Sequence, residues 1–127
     1  MRDRREYLID EAMEARKEAY APYSQFAVGA ALLTKCNKVI RGCNIENASS
    51  SVTICAERTA VYKAVSEGFK DFVALAVVAE TKEPCRPCGS CRQVFVEFNP
   101  EMEIIMGNLA GEIECLKARE LLPIYFK

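Results

Sequence analysis

Two short stretches constrain this chain more than anything else in it: Cys55-Ala56-Glu57-Arg58 and, further along, Pro87-Cys88-Gly89-Ser90-Cys91. Three thiols that can grip one metal ion, with a carboxylate two positions after the first, are an arrangement suited to catalysis. A fold that uses them must bring two separated segments to one point. The chain has no histidine. The commonest general base and metal ligand are therefore missing, so proton transfer falls to carboxylates and metal binding to sulfur or oxygen.

Seven cysteines in 127 residues would suit a disulfide framework in a small secreted domain. The count is odd, however, and Met1 to Glu6 turns acidic without the apolar core of an export signal. Reduced thiols in the cytoplasm are the expectation, with metal or catalysis accounting for the clustered ones. Half the residues are apolar and 28% are charged, the balance of one soluble domain spanning 1–127. Net charge is −1, with no dense Lys/Arg run. That argues against a nucleic-acid partner, and no apolar run approaches a membrane span.

Residues from Asp3 to Tyr20 read as an amphipathic helix, with Leu8, Ala12, Ala15 and Ala19 on one stripe and Pro22 as its stop. Phe26 to Thr34 and a run beginning at Val39 read as a hairpin packed on both faces, turned at Lys35-Cys36-Asn37-Lys38. Gly42 to Ser51 is loop-like and crowds Asn44, Glu46 and Asn47 together. Thr53 is a reasonable cap for a helix over Cys55 to Glu67, stopped at Gly68. Phe72 to Ala79 reads as a strand buried on both faces, and Glu80 to Pro84 as a loop.

Pro87 suits the first turn of a helix running to Phe98, which would put Cys88 and Cys91 on one face. Met102 to Met106 reads as a strand, Gly107 to Gly111 as a turn, Glu112 to Leu116 as a short extended piece, and Ala118 to Leu122 as a last helical turn. The order predicts an α/β fold: a single mixed sheet of about five strands flanked by helices, three layers αβα.

Two helix amino termini carrying thiols favour thiolate over thiol and suit zinc. Three thiolates on a divalent cation leave the cluster at −1, and Arg58 is placed to offset this by donating to sulfur. The bland alternative for Arg58 is a solvated helix-surface arginine. Glu57 beside a metal-activated water can take and return protons, where its bland alternative merely complements the helix dipole.

These residues, with Arg92 and Gln93 following Cys91, resemble the small cytidine deaminases of nucleoside salvage. The likeness extends over Ala21-Pro22-Tyr23-Ser24, Phe26 to Ala30, Gly42 to Ala48 and Glu120 to Pro123. It implies a cytidine deaminase-like fold and hydrolytic deamination of cytidine and deoxycytidine to uridine and deoxyuridine. In that family's chemistry zinc-activated hydroxide attacks C4 of the pyrimidine and ammonia leaves, with a glutamate that is not a ligand shuttling protons. By resemblance, Cys55, Cys88 and Cys91 ligate Zn2+ and Glu57 is the catalytic acid/base.

The same likeness sets Phe26 against the pyrimidine, Asn44 and Glu46 on the ribose hydroxyls, and the Ala56 backbone on the base edge. It also makes Phe126 an aromatic that closes a neighbouring subunit's site in a homotetramer acting on a small nucleoside. The chain departs from the family's pattern at Ser50, where many relatives have Tyr, and at Cys36-Asn37, where Asp-Gly is usual.

Two rivals stand beside this reading. Cys85, spaced three before Cys88, could join Cys55, Cys88 and Cys91 in a four-thiolate structural site, making the chain a binding module. It precedes Pro87, however, and a structural site has no need of Glu57. The other rival is a deaminase of a different substrate, such as a nucleoside antibiotic or a base in RNA.

Overall fold

The Val-rich run near the middle of the chain becomes the middle of the sheet. The computed structural model describes residues 3–126. In it Phe72–Ala79 (β3) lies between Val28–Thr34 (β1) and Glu103–Asn108 (β4), with Val39–Cys43 (β2) and Ile113–Lys117 (β5) at the edges. The strand order is β2-β1-β3-β4-β5. β3 runs antiparallel to β1 and parallel to β4, and both edge pairings are antiparallel. This is the expected mixed five-stranded sheet.

Helix Arg4–Arg16 (α1) covers one face, packing Leu8, Ile9 and Ala12 against Ala31, Leu33, Ala76, Val78 and Ile105. The opposite face is covered by Ala56–Ser66 (α2) and Gly89–Phe98 (α3). Ala60, Val61, Ala64, Cys91, Phe95 and Val96 meet Leu32, Leu75, Val77 and Ile104 there. A short helix, Ala118–Leu121 (α4), follows β5. Every residue of β1 and nearly every one of β3 is buried, as strands covered on both faces require. Among the described residues no helix is long and apolar enough to cross a membrane.

Several expectations are corrected. α1 stops at Arg16, because Tyr20 leaves the helix to bridge Ile45, its N–H bonding Asn44 O and its carbonyl accepting from Glu46 N. β1 begins at Val28, since the carbonyl of Phe26 is taken by the Asn44 side chain. The hairpin turn is where expected, with Asn37 at φ 68°. Of the hairpin's two strands only β1 is packed on both faces, however: β2 is an edge strand whose Arg41 turns outward to Glu11.

The loop before α2 contains a single 3-10 turn, Ser50–Val52. β4 runs on to Asn108, so the following turn starts later than Gly107. β5 accordingly spans Ile113–Lys117, and α4 ends at Leu121.

Glycine matters where α2 crosses the sheet. A Cβ on Gly42 would lie 2.5 Å from Ala60 N and 2.6 Å from Ala56 O. Only the bare backbone lets the first turns of α2 come this close to β2.

Candidate active site

α2 and α3 begin on the same side of the sheet, and their first residues are the candidate ligands. Cys55 is the N-cap of α2 and Cys88 the N-cap of α3, both with extended backbone and neither using its side chain as a cap. Thr53, the expected cap of α2, instead closes the preceding loop by accepting from Asn47 N. Pro87 lies just outside α3 rather than in its first turn, because the first helical bond runs from Arg92 N to Cys88 O. The Pro87 carbonyl accepts from Arg92 Nε, whose guanidinium also donates to Leu121 O.

The Sγ atoms of Cys55 and Cys88 are 3.8 Å apart, and those of Cys88 and Cys91 3.5 Å. All three lie within 4.8 Å of one another. Tetrahedral zinc with Zn–S bonds of about 2.3 Å sets its sulfurs about 3.8 Å apart. The donor set and its spacing therefore fit zinc. Among the described residues this is the one cluster of its kind, and Cys85 is not in it, so the four-thiolate alternative lacks its fourth sulfur.

Electrostatics of the cluster follow from its proton count. A hydrogen bond from Cys91 is the largest influence holding the Cys55 thiol well below its ordinary value, and Arg58 Nη2, 3.2 Å from Cys55 Sγ, adds to it. The same Cys55–Cys91 bond, with burial, pushes Cys91 up. The cluster thus favours ionisation at Cys55, and holding a metal requires the thiols to give up their protons. The contact with Cys55 raises the Arg58 guanidinium, the charge-offsetting arrangement read from the sequence. Arg58 Nε is buried without a hydrogen-bond partner among the described residues.

Glu57, only 4% exposed, is buried in the first turn of α2 beside these thiols. Burial is the main cause that pushes its carboxyl up to about 7. Ala56, before it, is fully buried.

The polar loop is tied to the ligand segment. Ile45 pairs with Ile54 through two 3.0 Å backbone bonds, so Asn44 and Glu46 flank a bridge to the residue preceding Cys55. Asn44 donates to Phe26 O at 2.8 Å and accepts from Val28 N at 2.9 Å, bracing Phe26, which is 41% exposed. Glu46 accepts from Tyr23 N, Ser24 N and Ser24 Oγ. Phe126 is exposed at the far end of the chain, its carbonyl held by Gln93 Nε2 at 2.8 Å. Ser50 is exposed in the 3-10 turn.

Sequence reasoning missed the bracing roles of Ser24, Arg92 and Gln93. All three stand inside stretches that carried the resemblance, but Arg92 and Gln93 hold backbone carbonyls, and Ser24 joins Glu46 to Phe26 N, partners that no sequence pattern marks.

Comparisons with known proteins agree with this geometry. Residues 2–107 match the family described as the cytidine and deoxycytidylate deaminase zinc-binding region. The chain is 58% identical to a cytidine deaminase of Halalkalibacterium halodurans over 94% of its own length and 91% of that protein's. It is 55% identical to one of Sporosarcina psychrophila, over 93% and 88%. The crystal structure of a cytidine deaminase from Burkholderia pseudomallei superposes with a TM-score of 0.94 at 48% identity, covering 95% of this chain and 98% of that one. With two helix caps presenting thiols at zinc spacing and a buried carboxyl beside them, this chain belongs to the zinc-binding cytidine deaminase family.

Proposed function

We propose that the protein, as a single catalytic domain over residues 1–127, hydrolyses cytidine and deoxycytidine to uridine and deoxyuridine with release of ammonia. The observation that carries this reading is the Glu57 carboxyl, buried beside three thiols at zinc spacing. Cys55, Cys88 and Cys91 hold the metal, and Arg58 offsets the negative charge that an all-sulfur site creates. Bound zinc supplies the Lewis acidity that activates water at neutral pH.

Glu57 moves the protons. It takes one from the attacking water and delivers it to the pyrimidine ring nitrogen next to C4, then takes the proton of the hydroxyl added at C4 and gives it to the amino group, which leaves as ammonia as the C4–N bond breaks and the C4 carbonyl forms. A carboxyl pushed up to about 7 is matched to giving and taking protons near neutrality. Its burial keeps it from exchanging those protons with bulk water.

Phe26 packs on the pyrimidine and the backbone at Ala56 meets the base edge. Asn44 and Glu46 serve the ribose. After its contacts with Phe26 and Val28, Asn44 keeps one N–H and one lone pair, a matched pair for a sugar hydroxyl. Glu46 accepts three bonds and retains capacity for a fourth. The assembly is a cytoplasmic homotetramer in which Phe126 closes a neighbour's site.

The test is to incubate zinc-loaded protein with cytidine, deoxycytidine and cytosine, following ammonia and the ultraviolet change on formation of uracil. Turnover of the nucleosides is expected. Zinc-loaded protein that turns over none of the three overturns the reading.

A further inference from the structure

Cys88 reaches the cluster at the end of a segment with no regular structure, running from the end of β3 at Ala79 to the cap of α3. A metal ligand on such a segment needs something rigid to hold it. Lys82, Glu83 and Arg86 are exposed, and the Arg86–Glu114 ion pair joins two partly exposed side chains, a contact worth little in water. Besides the Pro87 carbonyl, which Arg92 holds from α3, the ties to the interior are made at the end of β4. Cys85 N donates to Gly107 O at 3.0 Å, and the side chain of Asn108 donates from Nδ2 to Lys82 O at 3.1 Å.

Asn108 is 1% exposed, and its amide is fully engaged. Nδ2 gives its other bond to Glu112 Oε1 at 2.8 Å. Oδ1 accepts from Ala110 N at 3.1 Å and Glu112 N at 3.0 Å. Two donors and two acceptor sites are the whole capacity of an amide. Three of these bonds build the β4–β5 turn, and the fourth leaves the turn to hold the Cys88 segment. No smaller side chain and no carboxylate can do both.

We propose that Asn108 is a positioning residue for the metal site, a clamp that holds the segment Lys82–Cys85 against the end of β4 and thereby places Cys88. The inference rests on the reading of Cys55, Cys88 and Cys91 as zinc ligands. It reaches past the zinc-binding region matched by the family, which ends at residue 107. Asn108 touches neither metal nor substrate; it acts through the backbone of the segment before the ligand. The clamp does not set substrate contacts, so its loss shows in zinc retention and in kcat of partly loaded enzyme, with KM little changed.

The test compares zinc release to a chelator from wild type, Asn108→Asp and Glu112→Ala, each purified with zinc. Asn108→Asp keeps the two acceptor bonds of the turn and loses both donor bonds, to Lys82 O and to Glu112 Oε1, whereas Glu112→Ala removes the second of these and leaves the donor to Lys82 in place. Asn108→Asp is expected to release zinc about tenfold faster, the low end for groups that support metal ligands indirectly, and Glu112→Ala at close to the wild-type rate. Equal rates for wild type and Asn108→Asp, or equal acceleration in both variants, overturn the proposal. Wild type that binds no zinc overturns the ligand assignment and the clamp with it.

Should Asn108→Asp not fold, hydrogen exchange on zinc-loaded wild type decides. The Cys85 amide is expected to be protected with the amides of β4, and exchange at the rate of an open loop overturns the clamp.

Discussion

Glu57 combines two demands that usually conflict, a charge-bearing group and nearly complete burial, and the outcome is a carboxyl pushed up to about 7. Replacing it by Gln keeps shape and volume while removing the exchangeable proton. Glu57→Gln is therefore expected to retain stoichiometric zinc and to lose turnover by roughly 10²–10⁴-fold, the range for loss of a general acid/base; metal analysis alongside steady-state rates checks both halves. Cys85 is the contrasting case. Burial above all, with the Glu57 charge adding, pushes its thiol up to about 12, and it lies outside the metal cluster. Alkylation of the native protein at pH 8 followed by mass mapping is expected to label the exposed Cys36 and spare Cys85. Cys85→Ser should leave zinc content unchanged.

The junction between α2 and β2 leaves no room for a methyl group at Gly42, whose Cβ would strike the backbone of Ala56 and Ala60. Backbone cannot rotate away, so Gly42→Ala should cost about 1–3 kcal/mol, the usual penalty of overpacking, measured by urea unfolding. Because the same turn carries Glu57, with Cys55 as its cap, this variant should also hold zinc less well. Gly29→Ala is a matched control. Its Cβ would lie 1.9 Å from Ala12 O on the other face of the sheet, so it should lose stability while the folded fraction keeps its zinc.

These elements also show how much was legible beforehand. Strand β3 was readable as an unbroken apolar run, α2 as a run of helix formers stopped at Gly68, and α3 as a helix between Pro87 and the helix-breaking Asn99-Pro100. The convergence of Cys55, Cys88 and Cys91 was readable because their chemistry makes sense only together. The end of α1 was not, since Tyr20 leaves it for a bridge to Ile45 that no local pattern announces. Nor was the edge character of β2, or the use of Asn44 and Glu46 as braces, because both depend on partners distant in the chain.

Taken as a whole, the chain carries apolar groups that its own fold does not cover: Val52 at 63% exposed, Tyr62 at 48%, Ile124 at 92% and Phe126 at 87%. In the proposed homotetramer, sedimentation should give four times the 14.2 kDa chain mass. Phe126→Ala should raise KM for cytidine while leaving that mass unchanged; a monomeric wild type with full activity would refute the shared site. The two thiol-bearing caps have a mechanical consequence as well. Since Cys55 precedes β3 in the chain and Cys88 follows it, an ion gripped by both closes a ring of chain that includes the central strand, as a covalent staple would, and takes conformational freedom from the unfolded ensemble. Zinc should therefore raise the midpoint of thermal unfolding in proportion to the logarithm of its free concentration, and amide exchange after chelation should quicken first along Gly89–Phe98, where the staple lets go.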